Sequence, residues 1–342
     1  MRRRRSLNFS PLSWTLAVLL AALLPALAVP AGVAAPAALA AQAEPAAPAA
    51  QPEAATPAAF PVTIEHKYGA TTIPKEPVRV VTVGFNEQDF ALAVGVVPVG
   101  VRKWLGGYPF QERPWAAGLQ GGALPTVGAS ELDMERIAAL RPDLILALYA
   151  GLTPAEYQIL SRIAPTVVQA AEYADWAIPW QIQTVLTGRA LGREEAARAL
   201  VGDIEARYAT ARAANPAFEG KTAAFVSFDV SGFWIFEADD IRTQFLTALG
   251  FKLPAETGGF SRERAKLLDV DVLVAVASPG ELERDPIYGR LDVVREGRVI
   301  YLDGWTDDLA AAIGFNSPLS LEYLLDAIVP RLAAALDGDR AR

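Results

Sequence analysis

The side chains with the most chemistry to offer stand where short apolar runs stop. Arg102, Lys103 and Trp104 follow the run 96–101, Tyr149 closes the run 143–149, and Trp305 comes just after the run 298–302, behind Asp303 and Gly304. Each run reads as a strand, and open α/β sheets take up ligands beyond the carboxyl ends of their strands. Flat aromatic faces beside guanidinium or ammonium donors make a wall that stacks on a bulky solute and a few charges that orient it. Trp234 and Arg242, on either side of Glu237-Ala238-Asp239-Asp240, repeat the pairing later in the chain. Each has an ordinary alternative. A lone Trp or Tyr is as readily core packing, and Arg242 can form a solvated bridge to Asp239 or Asp240. Trp176 and Trp180, at the start of a long helical stretch, are read as packing, with the cleft as their alternative. His66, beside an early strand or turn, is given no role.

The same inventory closes off other chemistries. The 342 residues include no cysteine and one histidine. Disulfides, thiolate catalysis, iron–sulfur clusters and zinc ribbons have nothing to be built from. A Ser-His-Asp triad would have to use His66, and no nucleophile-elbow, dinucleotide or Walker pattern is present. The chain is therefore expected not to be an enzyme, to carry no cofactor and to hold no metal through its own side chains. A formal charge of -8 makes it a poor partner for nucleic acid, whose phosphates require Lys and Arg. A monomer is expected.

The elements that must position these residues follow a repeated grammar. Runs 78–83, 96–101 and 143–149 read as strands, with helices over 86–94, 132–140 and 154–163 between or after them. Thr153 is a plausible cap for the third, with Pro154 in its first turn. The grammar restarts after residue 220, with strands over 222–228, 271–277 and 298–302 and helices over 241–249, 263–268 and 319–335. Alternating strands and helices imply parallel sheets covered on both faces. Between the halves, residues 180–215 are rich in Ala, Leu, Arg and Glu and lack proline. Two helices broken near Gly192 are one reading. The preferred one is a single rigid helix of about 50 Å, at about 1.5 Å per residue, which would limit lobe closure. Ahead of all this, Arg2–Arg5, the apolar stretch 12–28 and the A-x-A steps Ala38-Leu39-Ala40 and Ala41-Gln42-Ala43 read as a cleaved signal peptide. The expected organisation is a signal peptide over 1–43, an Ala/Pro-rich tether over 44–59, an N-terminal lobe over 60–177, a connecting helix over 178–215 and a C-terminal lobe over 216–338.

Several longer words resemble one family. They are the opening Gly69-Ala70-Thr71-Thr72-Ile73-Pro74-Lys75-Glu76-Pro77-Val78-Arg79-Val80-Val81 and the stretch 91–101, ALAVGVVPVGV. Met134-Glu135-Arg136-Ile137-Ala138-Ala139-Leu140-Arg141-Pro142-Asp143-Leu144-Ile145, Ile163-Ala164-Pro165-Thr166-Val167 and Leu268-Asp269-Val270-Asp271-Val272-Leu273 follow in order. Together they are similar to periplasmic siderophore-binding proteins of ABC importers, over about residues 60–337. The resemblance implies two Rossmann-like lobes with parallel sheets, joined by one long α-helix, with the ligand cleft between them. It implies capture of a ferric siderophore for a membrane permease, with haem or cobalamin binding as the alternative within the family. The siderophore saturates its iron, so no protein ligand is needed, in keeping with a chain of one histidine. A haem reading would make Tyr149 the axial ligand. The resemblance also places permease docking on Glu135 and Glu263, one glutamate per lobe, although a Glu in a first helical turn is favoured by the helix dipole in any case. Two departures stand out. No lipobox cysteine is present, so the expected product is periplasmic and not lipidated through Cys. Ala129 stands where some hydroxamate binders carry an Arg, which leaves the siderophore class open.

Overall fold

The computed structural model describes residues 60–104 and 107–337. The signal peptide and tether expected over 1–59 lie outside the described residues. The described chain opens with an antiparallel hairpin of β1 (Val62–His66) and β2 (Gly69–Ile73). There follow β3 (Val80–Thr82), α1 (Glu87–Ala93), β4 (Gly100–Val101), α2 (Met134–Ala139), β5 (Leu144–Ala147), α3 (Pro154–Ile163) and β6 (Thr166–Val168). The order β4-β3-β5-β6 makes a four-stranded sheet, parallel throughout. Every residue of β5 is buried, because both faces are covered. Leu144 and Leu146 pack with Val80 and Val167 on one face, while Ile145 and Ala147 pack with Val81 and Val168 on the other. Thr153 caps α3 as expected, in a reciprocal box with Glu156.

The segment between the lobes corrects the expectation of one helix over 178–215. Two helices are present, α4 (Trp180–Ala190) and α5 (Glu194–Ala214). Gly192 adopts φ 70°, which reverses the chain where a continuous helix would need right-handed backbone. The amide of Gln181 donates to Glu205 at 3.4 Å, so α4 runs back along α5. The connecting element is α5 alone, about 30 Å long at about 1.5 Å per residue. Its Ala197 packs in the core of the N-terminal lobe, and its Ile204 and Tyr208 pack in that of the C-terminal lobe.

The second lobe contains β7 (Ala223–Phe228), β8 (Gly232–Ile235), α6 (Gln244–Ala248), β9 (Gly258–Ser261), β10 (Val272–Val276), α7 (Pro279–Arg284), α8 (Asp292–Arg295), β11 (Val299–Leu302), α9 (Asp308–Phe315) and α10 (Pro318–Leu336). Its sheet, ordered β11-β10-β7-β8-β9, is mixed and not wholly parallel as expected: β11, β10 and β7 are parallel, and β8 and β9 add antiparallel pairs at one edge. Gly232 and Gly258, which punctuate the sequence like loops, lie within these added strands. A Cβ on Gly232 would lie 1.9 Å from the carbonyl oxygen of Phe260, so only glycine permits that pairing. The helix expected over 263–268 is a 3₁₀ segment, Arg262–Leu268.

A buried polar network ties the lobes together. Asp89 of α1 forms an ion pair with Arg113 at 2.5 Å, with both side chains almost fully enclosed. Its second oxygen accepts from the Trp115 indole at 2.7 Å and from the Ser317 hydroxyl, at the start of α10, at 3.1 Å. Asn86 donates to the carbonyl of Phe315, at the end of α9, at 2.9 Å. Such groups stay buried only when each finds a partner, so they specify how the two lobes meet.

Candidate functional site

A cavity of about 540 Å³ opens where strand ends of both lobes converge. From the N-terminal lobe come Trp104, after β4, and Tyr149, after β5, and from the C-terminal lobe come Arg242 and Trp305. These four are brought together as the sequence suggests. Trp104 stacks on Phe315 with centroids 4.1 Å apart, and Gly314 lines the cavity beneath the indole. Trp305 meets Phe225 and Phe236 edge-on, with centroids 6.2 Å away in each case.

Two further aromatics line it: Phe85, which the sequence does not single out, and Trp176, for which the cleft is the alternative to packing. Phe85 follows β3, and its ring stacks on Trp176 at 5.5 Å. Trp176 therefore belongs to the wall, not to simple packing, and it meets Tyr149 edge-on at 5.2 Å. It holds φ 69°, a left-handed conformation unusual for a bulky residue. Gly151 makes its seat: a Cβ there would fall 2.3 Å from the indole. A Gly two residues beyond a strand-ending Tyr is the one sequence signal that could have pointed to this close approach. Trp180, in contrast, is buried in the core of the second lobe, as the packing reading has it.

Arg102 and Trp234 are corrections. Arg102 does not line the cavity. It is 6% exposed, and its guanidinium donates to the carbonyls of Ala129 and Ser130, both at 2.7 Å, and to Val83 at 3.3 Å. It lies 4.0 Å over the ring of Phe85, so it supports a wall residue without presenting a charge. A long cation among free carbonyls is satisfied there without solvent. Trp234 is 46% exposed on β8, lies across Gly259 and donates to Glu237 at 3.3 Å, outside the lining. Lys103 is exposed and also outside it.

The electrostatics are dominated by internal pairing. Arg242 is held by Asp240 through Nε to Oδ1 at 2.7 Å and Nη2 to Oδ2 at 2.5 Å, and it lies over Phe236 at 4.1 Å. It thus fulfils both readings, as a bridge and as a lining residue. Glu87, fully buried, accepts from the backbone N–H groups of Tyr149 at 2.5 Å and Gly84 at 2.8 Å. Desolvation nevertheless raises its pKa to about 7, partly opposed by these bonds and by Arg102. Burial also pushes the Tyr149 phenol above its ordinary value. Among the described residues no cluster of His, Asp or Glu could hold a metal ion.

The model of the periplasmic binding protein family matches residues 89–305. The chain belongs to that family. A periplasmic solute binding protein from Mycobacterium smegmatis is 38% identical, superposes with a TM-score of 0.74, and covers 80% of this chain and 98% of its own. PiaA of Streptococcus pneumoniae, solved in complex with ferrichrome, is 28% identical at a TM-score of 0.69, with 81% and 99% covered. The Fe(3+) dicitrate-binding periplasmic protein FecB of Escherichia coli is 25% identical over 267 residues, 72% of this chain and 84% of that protein. Family members of this type are substrate-binding proteins with two lobes, and the cavity described here lies between the two lobes of this chain.

The two glutamates expected to dock are both exposed and outside the cavity lining. Glu135 lies in the first turn of α2, where Asp133, not Glu135, caps the helix by accepting from the Arg136 N–H at 2.9 Å. Glu263 opens the 3₁₀ segment after β9, and the Ser261 hydroxyl holds its carboxyl below the usual carboxylate range. No helix among the described residues is long and apolar enough to cross a membrane.

Proposed function

We propose that this protein captures a ferric siderophore in the interlobe cavity and presents it to the permease of an ABC importer. The observation that carries the reading is the cavity itself: five aromatic side chains and one guanidinium around about 540 Å³, between two lobes of this family. That size suits a ligand of several hundred Å³, and flat rings suit the outer surface of a chelate whose iron is already saturated. Export fits the same role: the signal peptide over 1–43 is removed, the tether over 44–59 follows, and the product works in the periplasm without lipidation through Cys.

Three of the lining residues are tryptophans, so binding is read as quenching of intrinsic fluorescence. Titration with ferrichrome and with other ferric chelates is expected to quench and saturate. No response to any ferric complex would overturn the reading. Glu135 and Glu263 serve docking, each meeting an arginine of the permease in a bidentate pair that fixes orientation. The double substitution Glu135→Ala and Glu263→Ala is expected to leave the titration unchanged and to reduce uptake through the reconstituted transporter. Normal uptake would remove the docking role.

A further inference from the structure

The polar groups that line the cavity are matched from within, and the one cation among the described lining residues, Arg242, is already paired. On the N-terminal side, Arg102 gives Nε and Nη2 to the carbonyls of Ala129 and Ser130 and Nη1 to that of Val83. The N–H groups of Gly84 and Tyr149, just past β3 and β5, are what an anion would use at such strand ends, and both oxygens of Glu87 already occupy them. On the C-terminal side, Arg242 is the one cation among the described lining residues, and Asp240 holds it through two hydrogen bonds. The loops that carry Arg242 and Trp305 add Glu237, Asp239 and Asp303 and no second cation. Gly314 brings the last turn of α9 to the cavity, and a helix C-terminus carries partial negative charge.

Moving a multiply charged anion from water into such a site is costly unless cations meet it there. The charge of a ferric chelate follows from its donors. Three monoanionic hydroxamates neutralise iron(III), three dianionic catecholates leave a trianion, and citrate complexes also stay negative. Aromatic walls stack on a neutral chelate without any charge to compensate. Building on the siderophore function proposed above, we infer that the cavity selects ferric complexes of zero or positive net charge, of the tris-hydroxamate kind, and rejects polyanionic ones. Asp240 enforces the selection by neutralising Arg242.

Parallel quenching titrations of the full chain at low ionic strength test this. The probes are ferrichrome, an iron(III) tris-catecholate complex and ferric dicitrate. Ferrichrome is expected to bind at least about tenfold more tightly than either anionic probe. A polyanionic complex that binds as tightly as ferrichrome overturns the charge rule and leaves the siderophore function standing. If none of the three binds, the function itself falls, and this inference with it. Asp240→Asn keeps the oxygen that accepts from the Arg242 backbone N–H but removes the charge. It is expected to narrow the ratio between ferrichrome and the anionic probes by about threefold or more, because Arg242 then answers to the ligand. A folded variant with an unchanged ratio overturns the role given to Asp240.

Discussion

On the N-terminal side of the cavity, Phe85 is 7% exposed and its neighbours hold it from distant parts of the chain. Arg102 covers its ring, Trp176 stacks on it, and Glu87 joins the end of β3 to Tyr149, 62 residues away. On the C-terminal side, Trp305 is 44% exposed and touches Phe225 and Phe236 only edge-on. Arg242 is held by a partner two residues away. Phe85 is thus locked by contacts from distant segments, whereas Trp305 and Arg242 are set on loops that hold themselves. A substitution behind Phe85 should destabilise the protein, whereas a substitution at Trp305 or Arg242 should change what it binds.

The largest effect expected from this contrast is at Arg102. Arg102→Ala leaves the carbonyls of Ala129, Ser130 and Val83 without their donor, which at about 1–3 kcal/mol for each unsatisfied group should cost about 3–5 kcal/mol of stability. Urea unfolding measures it, and wild-type stability would mean that the wall does not depend on this support. Next comes the pH dependence set by Glu87. Its folded pKa of about 7 lies above the ordinary 4.5, so the folded state binds its proton more tightly than the unfolded state does. The contribution is fully present below about 4.5 and is lost as pH rises through about 7, an effect of about 1–3 kcal/mol. The difference between wild type and Glu87→Gln in unfolding midpoints across this window isolates it. A difference that does not vary with pH would show that the carboxyl titrates normally.

The C-terminal side should behave otherwise. Trp305→Ala is expected to weaken ferrichrome binding by about 1–3 kcal/mol while stability stays within about 1 kcal/mol of wild type. A larger loss of stability than of affinity would erase the distinction between the two sides. The smallest effect is expected at Trp234, which lies outside the lining: Trp234→Ala should alter affinity by less than about 0.5 kcal/mol. A loss comparable to that at Trp305 would extend the binding surface onto β8.

Much of this architecture is legible along the chain. Apolar runs bounded by Gly and Pro mark the strands, and the cap at Thr153 marks α3, because each signal lies within a few residues of what it specifies. The aromatic residues that follow strands β4, β5 and β11 are visible for the same reason, and a parallel sheet aligns its carboxyl ends at one edge. The edge strands β8 and β9 are not legible. Their glycines look like breaks until Phe260 is seen to need the space above Gly232. The turn at Gly192 is equally ambiguous, since helical composition continues on both sides of it and only the packing of α4 along α5 decides.

By itself, then, the sequence determined the two α/β lobes, the supply of aromatic and charged groups at the strand ends, and the lack of thiolate or imidazole chemistry. The tertiary structure alone decided where those groups face. Arg102 and Arg242 are the same residue type, yet one is absorbed by the carbonyls of Val83, Ala129, Ser130 and Ala150 and the other lines the cavity beside an aspartate. The buried Asp89 depends in the same way on Arg113, 24 residues on, and on Ser317, 228 residues on. Side-chain type is a local property, but the free energy of a charge depends on everything within a few ångströms, and chain folding brings that surrounding together from positions the local pattern does not connect.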